Sequence, residues 1–296
     1  MESSNITIRQ QKIKKDFTKQ KCMILTVLVG IVLLLAIFAE YIVPYDPYAQ
    51  DLSNALQPPG GTHLLGTDRY GRDMLSRVIM GGRTTIFSSL LLVVIIMVVG
   101  TLIGIICGYS GGKIDTVLMR ISDIFLAFPG MVFAIAVAGV TGGGVLNAVV
   151  ALACISWPKF ARIARSQVMT LKQSSFVAAA RLSGSGTCKI IFKHILPNIA
   201  GPILITGVLD IGNMMMEIAG LSFLGLGAVP PIAEWGSMMS NGRSMLQISP
   251  WVILAPGFAI FITVMLFNLL GDTVRDVMDP RRNKGRGENK CVKEVY

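Results

Sequence analysis

Six apolar runs, most of them long enough to cross a bilayer as a helix, punctuate this chain at roughly 22–43, 84–108, 118–140, 145–160, 199–222 and 250–271. A helix rises about 1.5 Å per residue, so about 20 residues span a hydrocarbon core of about 30 Å. No other feature restricts folding as severely. Inside lipid every backbone N–H and C=O must find its partner within the protein, and only helices and closed barrels manage this. The expected fold class is an all-α membrane protein with six transmembrane helices. Pro129-Gly130 marks a kink in the third run, and the fourth ends near Trp157-Pro158.

Charge supports this reading. Only 15% of residues are charged and mean hydropathy is +0.63, whereas soluble domains average about 25% charged. The net charge of +10 would suggest nucleic acid if it formed a basic face interleaved with aromatics. It lies instead in tails and loops between the apolar runs, where Lys and Arg set topology, so no nucleic-acid partner is expected. The run from Cys22 to Val43 follows a basic tail of 21 residues. It is too long for a signal-peptide core of about 7–15 residues, and no A-x-A site closes it; a retained anchor is expected.

An even number of spans puts both tails on one side. That side would hold 22 of the 27 Lys and Arg residues, against five on the other: Arg69, Arg72, Arg77, Arg83 and Arg243. The asymmetry predicts cytoplasmic tails and a cytoplasmic connection between the fourth and fifth spans. The five cysteines, Cys22, Cys107, Cys154, Cys188 and Cys291, never fall at C-x-x-C spacing, so neither a disulfide framework nor a zinc site is expected.

The connection between spans four and five holds FVAAARLSGSGTCKIIFKHILPN, Phe176 to Asn198. Ala178-Ala179-Ala180 is a strong helix former. Ser183-Gly184-Ser185-Gly186 breaks the helix, with Gly184 suited to a left-handed cap. A second helix is expected from Thr187 to Pro197, where proline resets the chain before span five. Such a helix–glycine–helix protrusion is something another protein can grip. The bland alternative is a basic linker lying against anionic lipid.

Here the sequence resembles the "EAA loop" of ATP-binding-cassette importer permeases: Ala179-Ala180, Gly184, and Leu196-Pro197 fit the pattern, while Ala178 stands at the leading Glu position and His194 at the usual Ile. Three further stretches resemble the dipeptide, oligopeptide and nickel importer group. They are LGTDRYGRDMLSRVIMGGR at 65–83, LSFLGLG at 221–227 with Pro230-Pro231 and Glu234-Trp235-Gly236, and FNLLGD at 267–272 with Arg275-Asp276. The first also reads locally as turns and a helix cap with an ion network of Asp68, Arg69, Arg72, Asp73 and Arg77.

The resemblance implies a type I importer permease, a five-helix core plus an N-terminal helix, in a bacterial inner membrane. It divides the chain into a basic tail (1–21), an N-terminal span with its outer loop (22–83), a core (84–272) containing a coupling loop at about 159–197, and a second basic tail (273–296). The implied partners are a second permease subunit, two ATPase subunits, an external substrate-binding protein and membrane lipid. Ala178, Ala179, Ala180, Arg181, Gly184, Leu196 and Pro197 would meet the ATPase. ATP and Mg would belong to those partners: Gly111-Gly112-Lys113 is followed by Ile114, not by the hydroxyl of a phosphate-binding loop, and H-E-x-x-H is missing. No cofactor and no enzymatic activity are expected of this chain. A secondary transporter would show repeated halves, and a channel a filter; neither pattern stands out.

Span five carries Asp210, Asn213, Met214 and Glu217, with Met215 and Met216. Asp210 and Glu217 lie seven residues apart and share a helix face. Charge at membrane depth is costly and should face the interior or a water path, so these four residues are candidates for a translocation path. Carboxylates favour a cation or an ammonium group, and thioether tolerates a late transition metal. The structural alternative is interhelical hydrogen bonding with methionine as packing. No metal ligand set is assigned. LDIGNMM before AGLSFLGLG, RLSGSG and VMLFNLLGD resemble the nickel branch, whereas Glu217 is more typical of peptide-type relatives. The sequence leans to nickel, free or chelated, with di- or oligopeptides as the alternative.

Overall fold

The computed structural model describes residues 2–278, with side chains from Thr18 onward. The basic stretch from 279 and Cys291 lie outside the described residues, as do the side chains of the basic residues before Thr18. Helix α1 (Glu2–Ile37) crosses with its segment Thr18–Ile37, and α2 (Ala39–Ile42) ends it. A loop to residue 73 leads into α3 (Met74–Ser110), followed by α4 (Gly112–Ala127), α5 (Gly130–Thr141) and α6 (Val145–Lys172). The short α7 (Ser175–Leu182) and α8 (Thr187–Ile190) form a hairpin that runs on into α9 (Leu196–Phe223); α10 (Trp235–Gly242) and α11 (Trp251–Met278) complete the bundle. Five helices are long and apolar enough to span, and six if the bent pair α4–α5 counts as one.

Helix α3 starts where Asp73 caps it, its carboxylate accepting the Ser76 N–H at 2.7 Å. Its length follows from its partner. Gly100, Gly104 and Gly108, spaced four apart, form a smooth stripe on which α6 lies with Phe160, Ala161, Ala164 and Val168, none of them exposed. A methyl group on Gly100 would sit 2.5 Å from the Trp157 carbonyl, and one on Gly108 would sit 2.8 Å from the Val168 Cβ. Small residues in such a stripe let helices approach closely in lipid, where burial of apolar surface gives no drive. A second close approach joins α9 to α11, where Gly212 faces the Asn268 side chain and Gly271 lies against Leu209.

Three sequence expectations change. The kink at Pro129-Gly130 is a 90° bend, so the third run is two helices rather than one. The fourth run does not end near Pro158: α6 carries Pro158 inside it and continues to Lys172, because packing on the glycine stripe holds both sides of the proline. Pro197 does not reset the chain either. A wide helical turn over Ile191–Ile195 joins α8 to α9 without a break. Such a turn accommodates a proline that cannot donate to the preceding turn.

Candidate functional site

The hairpin is tied to the bundle from below and bare above. Val177, Ala180, Ile190 and Ile195 are buried. Helix α7 ends at Gly184, whose φ of +77° suits glycine. Ser185 N–H donates to the Ala180 carbonyl and Gly184 N–H to that of Arg181, satisfying two carbonyls of the last turn. The glycine-turn expectation therefore stands as geometry. Arg181 lies 5.5 Å from the Tyr109 ring centre, and Lys172 donates to the Tyr109 carbonyl at 2.5 Å. The bidentate Arg165–Asp115 pair, at 2.5 and 2.6 Å, fastens α6 to α4 at this same end.

What remains on the hairpin surface is apolar as well as basic. Leu182 is 90% exposed and Phe192 65%, with Phe176, Ala178, Ala179, Arg181 and Gly184 exposed beside them. Leu196 is half-buried and Pro197 exposed. The seven residues assigned to this loop thus do not form one face. Ala180 supports the hairpin from inside, and Leu196 and Pro197 belong to the first turn of α9.

On α9 the four path candidates separate. Asp210 is 1% exposed and Met214 9%; Met215 is fully buried. Asn213 is exposed, Glu217 half-buried and Met216 53% exposed. The outward stripe is Asn213, Met216 and Glu217, with Met214 turned into the core, because 100° per residue carries it past the edge of that stripe. The Lys159 ammonium, on α6, reaches Asp210 Oδ1 at 2.7 Å, and Asn213 Nδ2 donates to the same oxygen at 3.3 Å. Asp210 Oδ2 and Glu217 Oε2 are enclosed without a hydrogen-bond partner. Sequence reasoning missed Lys159, which lies 51 residues from its partner.

The opposite end forms a collar. Asp68 holds Arg72 at 2.6 Å with Arg77 3.8 Å away, and Arg77 also donates to the Pro47 carbonyl at 2.9 Å. Asp73 meets His63 at 2.9 Å. This is the expected ion network, except that Arg69 turns out toward Asn241 and the Tyr70 ring. Its partly open cavity is about 20 Å³, room for a water rather than a ligand. Glu234, fully buried, caps α10 by accepting from the Gly236 and Ser237 N–H groups at 2.9 and 2.8 Å and from Thr85 at 3.2 Å. Burial pushes its carboxyl up from the ordinary 4.5, and the backbone N–H groups pull it part of the way back. Nothing in the sequence beyond its place before Trp235 marks it.

A helical bundle with an exposed hairpin at one end and a charged, half-open helix face between its spans is the subunit of a membrane transport system, with a type I importer permease fold. The chain belongs to the family of binding-protein-dependent transport system inner membrane components, which matches residues 100–284; residues 17–59 match the N-terminal TM domain of oligopeptide transport permease C. Relatives include the glutathione transport system permease protein GsiD of Pectobacterium atrosepticum, 42% identical over 83% of this chain and 82% of that one. The dipeptide permease DppC of Alkalihalophilus pseudofirmus is 40% identical over 90% and 88%. The nickel permease NikC of Escherichia coli is 39% identical over 86% and 92%. Among solved structures, the inward-facing MetNI methionine ABC transporter superposes with a TM-score of 0.57 at 18% identity, covering 70% of this chain and 98% of that one, a likeness of fold.

Proposed function

We propose that this chain is one of two permease subunits of an ATP-driven importer in a bacterial inner membrane, and that its cargo is a short peptide. The observation that carries the peptide reading is the Lys159–Asp210 pair beside the exposed Asn213 and the half-buried Glu217. A fixed ammonium among the acids suits a zwitterion better than a bare dication, which Lys159 would repel. Nickel, toward which the sequence leans, keeps support from the exposed Met216 and from the likeness to NikC. Met214 and Met215, turned inward, give it none.

The hairpin α7–α8 supports the coupling reading. Phe176, Leu182 and Phe192 stand exposed on this stretch together with the basic Arg181, the kind of side chains that a groove on a partner ATPase would cover. The continuous run from α8 through the wide turn into α9 links that stretch to Asp210 and Glu217. Nucleotide-driven closure of two ATPase subunits would move the hairpin and with it α9, while a substrate-binding protein delivers cargo at the collar. Both tails and the hairpin would face the cytoplasm, in keeping with the Lys and Arg asymmetry.

The test is uptake of radiolabelled nickel against a labelled dipeptide in cells lacking only this subunit, with and without the gene restored. Restored dipeptide uptake alone supports the peptide reading, and restored nickel uptake alone replaces it. For topology, Cys188 in a chain whose other cysteines are replaced should resist a membrane-impermeant maleimide in intact spheroplasts. Rapid labelling there would turn the hairpin outward and end the coupling account.

A further inference from the structure

We infer that Lys159 and Glu217 form a two-point charged subsite that reads the carboxylate and ammonium ends of a peptide two to three residues long; this rests on the importer reading above. The Lys159 ammonium has three donors. Among the described residues it has one partner, Asp210 Oδ1 at 2.7 Å, and its side chain stays 48% exposed while that of Asp210 is 2% exposed. With half of its side chain open, the lysine is not enclosed with the acid that it neutralises. It leaves donors on the open face beside the exposed Asn213 amide, placed to receive a carboxylate.

Glu217 supplies the opposite charge. It lies seven residues past Asp210 on the same face of α9, two turns and about 10 Å further along the axis. Its Oε2 has no hydrogen-bond partner, and neither has Oδ2 of the buried Asp210. Acids at membrane depth are costly unless a path or a partner uses them. The cation and the anion therefore stand about 10 Å apart, and an extended backbone of about 3.3–3.6 Å per residue spans that gap with about three residues. A chelating site needs ligands converging on one point. These charges are spread along an axis, carboxylate-reading toward the hairpin end and ammonium-reading toward the collar.

The experiment uses the complete complex in proteoliposomes, with partner permease, ATPases and binding protein. The cargoes are labelled trialanine, its C-terminal amide and its N-acetyl derivative. Binding-protein selectivity cancels when each variant is divided by wild type for the same cargo. Lys159→Met should lower trialanine uptake about tenfold, the loss of one charged contact, while the ratio for the amide stays near one. Lys159→Arg should retain most of the wild-type preference. Glu217→Gln should act on trialanine and the amide but spare the N-acetyl peptide. Should Lys159→Met fail to reach the membrane, Lys159→Gln carries the same comparison. Equal depression of all three cargoes, or no change in any, overturns the subsite and leaves the importer reading intact. A wild-type complex that imports no tripeptide with ATP overturns the subsite and the peptide cargo together.

Discussion

At the collar end, Asp68 holds two buried arginines, Asp73 meets His63, and Glu234 accepts three hydrogen bonds. At the hairpin end, Leu182 stands 90% exposed and a methyl group on Gly184 would meet nothing within 4 Å. The collar satisfies its polar groups internally and so fixes where the spans begin. The hairpin satisfies its backbone through one glycine cap, buries Val177, Ala180 and Ile190 beneath it, and leaves Leu182 and Phe192 uncovered. Rigid ends hold their shape alone, whereas a bare end is completed by something that binds it. The glycines make the same point. Gly104 is needed for space, since a side chain there would strike the Ala161 carbonyl, and Gly184 is needed for its backbone angle.

Breaking the collar should cost the most. Asp68→Ala strands Arg72 and Arg77 in a buried setting, and the expected loss is about 3–5 kcal/mol. It would be read as a lower melting temperature in detergent and lower abundance in the membrane. Gly104→Val forces α3 from α6 and should cost about 1–3 kcal/mol, seen in the same melt; an unchanged melt would mean that the glycine stripe does not set the helix approach.

Glu234 sharpens the comparison through pH. Its folded carboxyl is raised above 4.5, so the folded chain keeps that proton to higher pH than the unfolded chain. Its contribution is complete below 4.5 and declines as pH rises through the folded value. Glu234→Gln loses an acceptor and should cost about 1 kcal/mol at low pH. The gap between wild type and this variant should narrow as pH rises, measured by melts from acid to neutral pH.

The hairpin variants should barely move the melt. Leu182→Ser changes an exposed position, where effects stay within about 0.5 kcal/mol, yet it should weaken co-purification of the ATPase subunits. Gly184→Pro cannot hold a φ of +77° and should uncouple ATP hydrolysis from uptake while insertion stays normal. Full transport by that variant would show that the hairpin's shape carries no signal.

Much of the fold was legible because its signals are local. The length of an apolar run gives a span, Asp73 before Met74 gives a cap, and Ser183-Gly184 gives the end of α7. The four-residue spacing of Gly100, Gly104 and Gly108 was also available and would have announced a close helix pair. Local rules misled at prolines. Pro158 and Pro197 read as ends, but packing on the glycine stripe carries helix through the first, and the wide turn before α9 accommodates the second.

The candidate site was half legible. That Asp210 and Glu217 share a face follows from helix geometry alone. Which way that face turns does not: Met214 points inward, Lys159 covers Asp210, Glu217 is half-buried and Asn213 remains open.

By itself the sequence determined the number of apolar runs, the charge asymmetry, the glycine-capped hairpin and the family. The tertiary structure alone decided the 90° bend in the third run, the rotation of α9 and the meeting of Lys159 with Asp210. Backbone satisfaction and capping act over a few residues, so they are written in short stretches. The partner across a helix interface depends on how two helices are turned about their own axes, and that angle is set by the packing of every residue between them.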